Sequence, residues 1–339
     1  MNVQEQVRRR WNSVAKPLHS LGLLEDLIVK IAVVQGTADV HLDRRCAVVF
    51  CGDHGVVRRG VSQTGSEVTA LVAQAIAEGT GNINLMAGAA NTDVLPVDMG
   101  MMDPVPGVLD RRAGKGTADM TGGPAMTREQ AEYAVRMGTE LMEKLHEKGY
   151  QIAVIGEMGI GNTTAASAVT AVLLDLPPEK VTGRGAGLSD AGMIRKTAAI
   201  REAIHVNRPD AKDPMDVLAK VGGFELAGMT GAFLGGLRYH IPTVPDGFIP
   251  AASMLAAARM EPEVLQSILP GVLSKEPADK MIMDALGMEP VIHAQTALGE
   301  GTGGILLLPM LDMALRVYNG SHTFRSLGME AYTPQEGQP

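Results

Sequence analysis

Residues 151–176 read QIAVIGEMGIGNTTAASAVTAVLLDL. The run 152–155 is short, apolar and rich in β-branched side chains, the pattern of a strand buried on both faces. It stops at Gly156, and glycines recur at 159 and 161 before Asn162, Thr163 and Thr164 open an alanine-rich stretch, 163–175, of helical length. Strand, glycine loop and helix in succession form the repeating unit of a parallel α/β sheet. The first turn of such a helix has N–H groups without intrahelical acceptors, so the loop suits an anion such as a phosphate or carboxylate. The spacing GxxGxG is not the dinucleotide fingerprint, and no Gly-Lys-Ser/Thr follows, so it is not a Walker loop either. By shape alone the stretch is an anion-binding loop or an ordinary turn capped by Asn162 or Thr163.

The same alternation extends outward. CAVVF at 46–50 reads as a buried strand, TDVLPVDMG at 92–100 as the next, and 241–244 as a short further one. Residues 1–35 read as helical, a helix is expected from about Ser66 with Glu67 in its first turn, and 127–149 is amphipathic with Thr127 and Gln130 at capping-box spacing. Pro309 is expected to bend the last apolar helix. This predicts an α/β protein with a mostly parallel sheet and helices on both faces, with ligands bound at the carboxyl ends of the strands. The glycine loops after 50 and 155 leave strands at that edge, so one site built from several loops is expected. The tail 331–339 is expected to be frayed.

Composition narrows the function. The 339 residues are 45% hydrophobic and 20% charged, as in an ordinary globular protein. A net charge of -8 and 3% aromatic residues argue against nucleic acid as a partner. No run reaches membrane-spanning length, so no membrane role is expected. The two cysteines, Cys46 and Cys51, lie at an odd offset on one strand and so face opposite ways, too far apart in orientation for a shared metal or a disulfide. A reducing cytoplasm is the expected compartment.

Three other clusters carry chemistry-bearing residues. In GDHGV (52–56), Asp53 and His54 follow a strand, but with no second histidine nearby they read best as turn-satisfying groups with local hydrogen bonds. In GRGAGL (183–188) and the helix after it, Arg195 and Lys196 read as solvated charges, with a phosphate contact as the alternative. In LGEGTGG (298–304), Glu300 stands between glycines at the mouth of an apolar helix, placed either to complement the helix dipole or to act as a general base.

Taken in order, GDHGV, GVS…EVT, GEMGIGNTTAASA, GRGAGL, GGFELAGMTGA, DGFI…AA and LGEGTGG…LPMLDMAL closely resemble the nicotinate-nucleotide:dimethylbenzimidazole phosphoribosyltransferase family over about residues 10–318. The resemblance implies a Rossmann-like domain, 36–304, and a small helical domain from segments 1–35 and 305–330. It also implies a dimer, either a homodimer or a heterodimer with a homologous subunit. The implied reaction moves the phosphoribosyl group of nicotinate mononucleotide to an aromatic acceptor, with no cofactor and no metal. Glu300 is the implied base. Glu157, Met158, Gly159, Gly161, Asn162, Thr163, Gly185, Gly299 and Gly301 are implied substrate-binding residues, with Lys196 near the phosphate and Thr64 on the acceptor side. Two departures stand out. Gly271 and Val272 replace a Ser-His pair in a segment where Ser274, Glu276 and Pro277 remain, and Thr64 and Val72 suggest a less polar acceptor wall. The first makes a weak or silent subunit supporting an active homologue the alternative reading, and the second opens the acceptor to phenol or p-cresol.

Overall fold

The computed structural model describes residues 1–333. Five strands form one parallel sheet: β1 (Arg45–Gly52), β2 (Asp93–Gly100), β3 (Leu109–Asp110), β4 (Ile152–Met158) and β5 (Thr243–Pro245), in the order β3-β2-β1-β4-β5. The fold is therefore the expected Rossmann-like α/β class. The strand order reverses direction between β1 and β4, and the crevice at their carboxyl ends is where such sheets bind ligands. All eight residues of β1 are buried, which explains its unbroken apolar run in place of alternation.

Two apolar layers cover the sheet. Side chains at alternate positions of β1 split between them: Cys46, Val48 and Phe50 join one layer, Ala47, Val49 and Cys51 the other. The two cysteines are thus on opposite faces, both buried and free. The first layer packs the central helix Phe224–Arg238 against Arg128–Glu147, an approach so close that a Cβ on Gly138 or Gly231 would overlap backbone of the other helix. The second layer contains the terminal segments. Helices Val3–Ser13 and Leu23–Gln35 pack with Leu307–Gly320, and Val14 pairs with Thr323 as an isolated antiparallel bridge. These helices share their apolar core with one face of the sheet, through Val49, Val154 and Val244.

Local signals account for most boundaries. Thr127 and Gln130 form a reciprocal capping box on helix Arg128–Glu147. The expected 1–35 helical segment is two helices, because residues 14–22, with Pro17, break the pattern. The last apolar helix is interrupted at Leu306, giving Thr302–Ile305 and Leu307–Gly320. Pro309 accounts for this: it cannot donate to the carbonyl of residue 305, four positions earlier. In the tail, the Tyr332 ring lies 4.8 Å from Phe324, and residues 334–339 are outside the described part. Among the described residues no helix is long and apolar enough to cross a membrane.

Candidate active site

A cavity of about 270 Å³ opens at the carboxyl ends of β4 and β5. One wall is the loop from β4 into helix Asn162–Leu173, a second is the 184–188 turn, a third the segment 246–249 after β5, and the fourth the turn 296–302. Of the residues expected at a site, Glu157, Met158, Gly159, Gly161, Asn162, Thr163, Gly185, Gly299 and Glu300 all line it. They come from three loops more than a hundred residues apart at the extremes, gathered by the parallel topology.

Glycines permit the close approaches. A Cβ on Gly159 would collide with the Gly52 carbonyl oxygen at the end of β1. Gly161 has φ +97°, and a Cβ there would lie 2.7 Å from Val57 and 3.0 Å from the His54 Cβ. The β4 loop therefore rests directly on the β1 loop, as no larger residue allows.

Glu300 sits in an unusual turn. Gly299, Glu300 and Gly301 all have positive φ, at +83°, +63° and +95°. A non-glycine residue held there is strained and must be fixed by its surroundings. Its backbone N–H donates to the Glu157 carbonyl at 3.1 Å, and its side-chain Oε2 accepts from the Ile83 N–H at 3.4 Å, at the start of helix Asn82–Ala89. The chief clamp is Asp246. Its carboxylate accepts from the N–H groups of Gly301 at 2.6 Å, Gly303 at 2.9 Å and Gly304 at 3.3 Å, so it caps the helix that follows Glu300. Sequence reasoning gave Asp246 no role beyond its place in DGFI. The signal available was an Asp-Gly pair directly after a short strand.

The site concentrates buried acids. Burial pushes the Glu157 carboxyl up to about 8, with the carboxylates of Asp246, Glu225 and Glu300 adding to the effect and the Asn162 amide, which donates to it, opposing. Burial likewise raises Asp246 to about 7 against its three amide donors, and Asp279 to about 6 against Ser274. Glu157 is thus largely a neutral acid at pH 7, and the Glu300 carboxyl group belongs to the turn bonded directly to it.

Three expected residues lie elsewhere. Thr64 is exposed and does not reach the cavity; Ser62 and Gln63 do, because Gln63 is anchored to the 184–188 turn by a 3.1 Å bond to the Ala186 carbonyl. Gly301 is behind the wall, held by Asp246. Lys196 is neither a solvated charge nor a lining residue: it is 1% exposed, with Nζ donating to Thr163 Oγ1 and the Gly183 carbonyl, each at 2.9 Å. The neighbouring Arg195 reaches the Gly60 carbonyl at 3.1 Å. His54 is not locally bonded as the sequence suggested. Its Nε2 lies 2.5 Å from Glu225 Oε1, a partner 171 residues away, with both side chains buried. Asp53 does satisfy a loop, accepting from the Met102 N–H at 2.7 Å.

These shifts set a direction for stability. An acid whose pKa is raised by folding binds more protons when folded, so its contribution is full below the unfolded pKa and disappears as pH rises through the folded one. Glu157, Asp246, Asp279 and Asp98, the last raised by burial to about 6, all act this way between about pH 4 and 8. Lys30 and Lys196, both lowered by burial to about 8, act oppositely and only between about pH 8 and 10.5. The ligand-free chain is expected to melt several degrees higher at pH 5.5 than at pH 8 in a thermal series at constant ionic strength. A melting temperature that climbs over that interval would contradict the buried-acid assignment.

Comparison with known proteins agrees with this architecture. A phosphoribosyltransferase family model matches residues 1–329. The chain is 44% identical to the nicotinate-nucleotide–dimethylbenzimidazole phosphoribosyltransferase of Acetivibrio thermocellus, over 98% of this chain and 95% of that protein. It is 40% identical to the protein of that name from Ruminiclostridium cellulolyticum, over 99% of this chain and 96% of the other. The crystal structure of the Thermus thermophilus enzyme of this name superposes with a TM-score of 0.90 at 38% identity, covering 97% of this chain and 99% of that one. A parallel sheet with a glycine-walled cavity at the carboxyl ends of its strands, matched along nearly its whole length by these enzymes, makes the chain a member of the nicotinate-nucleotide–dimethylbenzimidazole phosphoribosyltransferase family.

Proposed function

We propose that the chain transfers the 5-phosphoribosyl group of nicotinate mononucleotide to an aromatic acceptor, releasing nicotinate and an α-ribotide used as a cobamide lower ligand. The observation that supports this reading most is that Glu300, on a strained turn, lines the same cavity as the glycine loop and helix start of 159–163. The nicotinate ring of the donor is a pyridinium, already a cationic leaving group, so the proposed chemistry asks for no metal. The acceptor attacks C1′ of the ribose from the face opposite the pyridinium, which inverts that carbon. The C1′–N bond to nicotinate breaks with its electron pair returning to the ring, and Glu300 takes the acceptor's proton. Holding both partners in line supplies much of the acceleration. Glu157, Met158, Gly159, Gly161, Asn162, Thr163, Gly185 and Gly299 hold the nucleotide in this reading.

Acceptor choice falls to the apolar side of the cavity, where Val61, Val72, Met158 and Leu298 meet the polar Ser62 and Gln63. Such a wall suits a flat, weakly polar ring: dimethylbenzimidazole, a related base, phenol or p-cresol. The proposed working form is a dimer of identical or homologous subunits.

A product assay tests the reading. The purified chain is offered nicotinate mononucleotide with dimethylbenzimidazole, adenine, phenol or p-cresol in turn, and products are identified by mass. At least one new ribotide is expected from this chain alone. Turnover that begins only when a homologous subunit is added would favour a silent supporting role instead, and no ribotide under either condition would overturn the proposal.

A further inference from the structure

We propose that His54 and Glu225 form a positioning pair: their bond anchors the 52–57 loop to helix Phe224–Arg238, and that loop is the platform on which the 159–161 wall of the cavity rests. The identity of the ligand comes from the reading above, and everything else from geometry.

The pair acts from behind the cavity. His54 is 3% exposed and Glu225 0%, and neither lines the cavity. The 159–161 loop meets the 52–57 loop at three points. A Cβ on Gly159 would lie 2.3 Å from the Gly52 carbonyl oxygen, and one on Gly161 would lie 3.0 Å from His54 Cβ and 2.7 Å from Val57 Cγ2. Between those glycines, the Ile160 N–H donates to Thr69 Oγ1 at 3.1 Å. Any shift of the 52–57 loop is therefore passed to the cavity wall. Asp53 ties that loop to neighbouring segments, through its N–H to the Gly100 carbonyl, its carbonyl to the Thr117 N–H and its carboxylate to the Met102 N–H. His54 supplies the tie to helix Phe224–Arg238, with Nε2 2.5 Å from Glu225 Oε1.

The fold makes room for this bond. A Cβ on Gly223 would lie 2.4 Å from His54 Cε1, and one on Gly52 would lie 2.4 Å from Glu225 Oε2. Glu225 stands in the first turn of its helix, where the dipole favours a carboxylate. Burial opposes a charge on His54, but the Glu225 carboxylate bonded to it and the nearby Asp53 outweigh burial and hold the imidazole pKa above its ordinary value. The arrangement is costly, since Glu225 Oε2 has no partner among the described residues. Apolar side chains of similar volume stabilise as well as a buried ion pair does. What the pair adds is direction: a charge-assisted bond fixes the ring at one place and angle.

The test compares His54→Asn with His54→Gln in the full chain. Both are neutral amides, but only glutamine is long enough to present an N–H near the position of the histidine Nε2. Two quantities are measured well below the melting points: KM for nicotinate mononucleotide, and amide exchange of residues 156–166 by mass spectrometry without substrate. His54→Asn is expected to raise KM for the nucleotide about tenfold, the loss of one hydrogen bond to a charged group. KM for the acceptor should stay within about threefold, because its own contacts are untouched. Exchange over 156–166 should quicken about tenfold or more while helix Leu307–Gly320 keeps its wild-type rate, the mark of a local opening. His54→Gln should recover most of both losses. Unchanged exchange over 156–166, equal acceleration along the whole chain, faster exchange with normal KM, or glutamine no better than asparagine would each overturn the proposal. Should His54→Asn fail to fold, Glu225→Leu against Glu225→Gln, which keeps an acceptor, gives the same contrast from the other partner. Absent wild-type turnover sinks the proposed function, and the exchange measurement, which needs no substrate, then decides the anchoring by itself.

Discussion

Glu300→Gln is expected to lower kcat by two to four orders of magnitude, the range over which a positioned general base contributes. KM for nicotinate mononucleotide should change by less than about threefold. The substitution is nearly isosteric and keeps an oxygen to accept from the Ile83 N–H, so the turn loses its proton acceptor and little else. Glutamine meets the same backbone demand as glutamate at φ +63°, so any strain is common to both proteins and cancels in the comparison. Glu157→Gln is the informative partner. Glu157 lines the same cavity but is largely protonated near neutral pH, and its carboxyl accepts from Asn162. If Glu157 were the base, its variant would show the larger loss in kcat. Equal turnover by Glu300→Gln and wild type, measured with saturating acceptor, would remove Glu300 from the chemistry.

The elements that frame this site were legible in the sequence because their signals are local. A buried strand ending in glycine, a capping box at Thr127 and a glycine turn before an apolar helix each declare themselves within a few residues. What pairs with what was not legible. Asp246 and Gly301 are 55 residues apart and His54 and Glu225 171 apart, and each contact is decided by which strand ends the topology makes neighbours. Lys196 shows the limit most clearly. On sequence alone a Lys-Arg pair on a helix is an exposed charge, and only the packing of helix Asp190–Asn207 against helix Asn162–Leu173 turns one of the two inward. Arg195, one residue earlier and about 100° around the helix, stays outside. Thr64 fails in the opposite sense: the loop holding it does reach the cavity, but through Ser62 and Gln63, and no periodic pattern fixes which residue of an irregular loop points inward.

The quoted stretch also contains a glycine whose purpose only the fold reveals, and the second large effect is expected there. Gly156 pairs with Val49 of β1 inside the sheet, where a strand glycine ordinarily weakens packing. A Cβ at this position would lie 2.5 Å from Gly301 Cα and 2.6 Å from the Glu300 carbonyl carbon. These are backbone atoms, which cannot swing aside as a side chain would. The 299–301 turn is fixed from two other directions, by the bond from Glu300 N–H to Glu157 and by the Asp246 carboxylate, so it cannot retreat without breaking one of them. Gly156→Ala should therefore displace the turn and with it the carboxyl group of Glu300. A misplacement on the order of 1 Å costs about a hundredfold in rate, and overpacking costs about 1–3 kcal/mol in stability. Gly88→Ala serves as the control, since a Cβ there meets nothing within 4 Å and the residue lies in helix Asn82–Ala89. That variant should keep full activity and be as stable as wild type or slightly more so. The decisive comparison is kcat for the two alanine variants at a temperature well below both melting points. If Gly156→Ala turns over as fast as Gly88→Ala, the close seating of the 299–301 turn on β4 is irrelevant to catalysis, and the acid held by that turn is not where the proton goes.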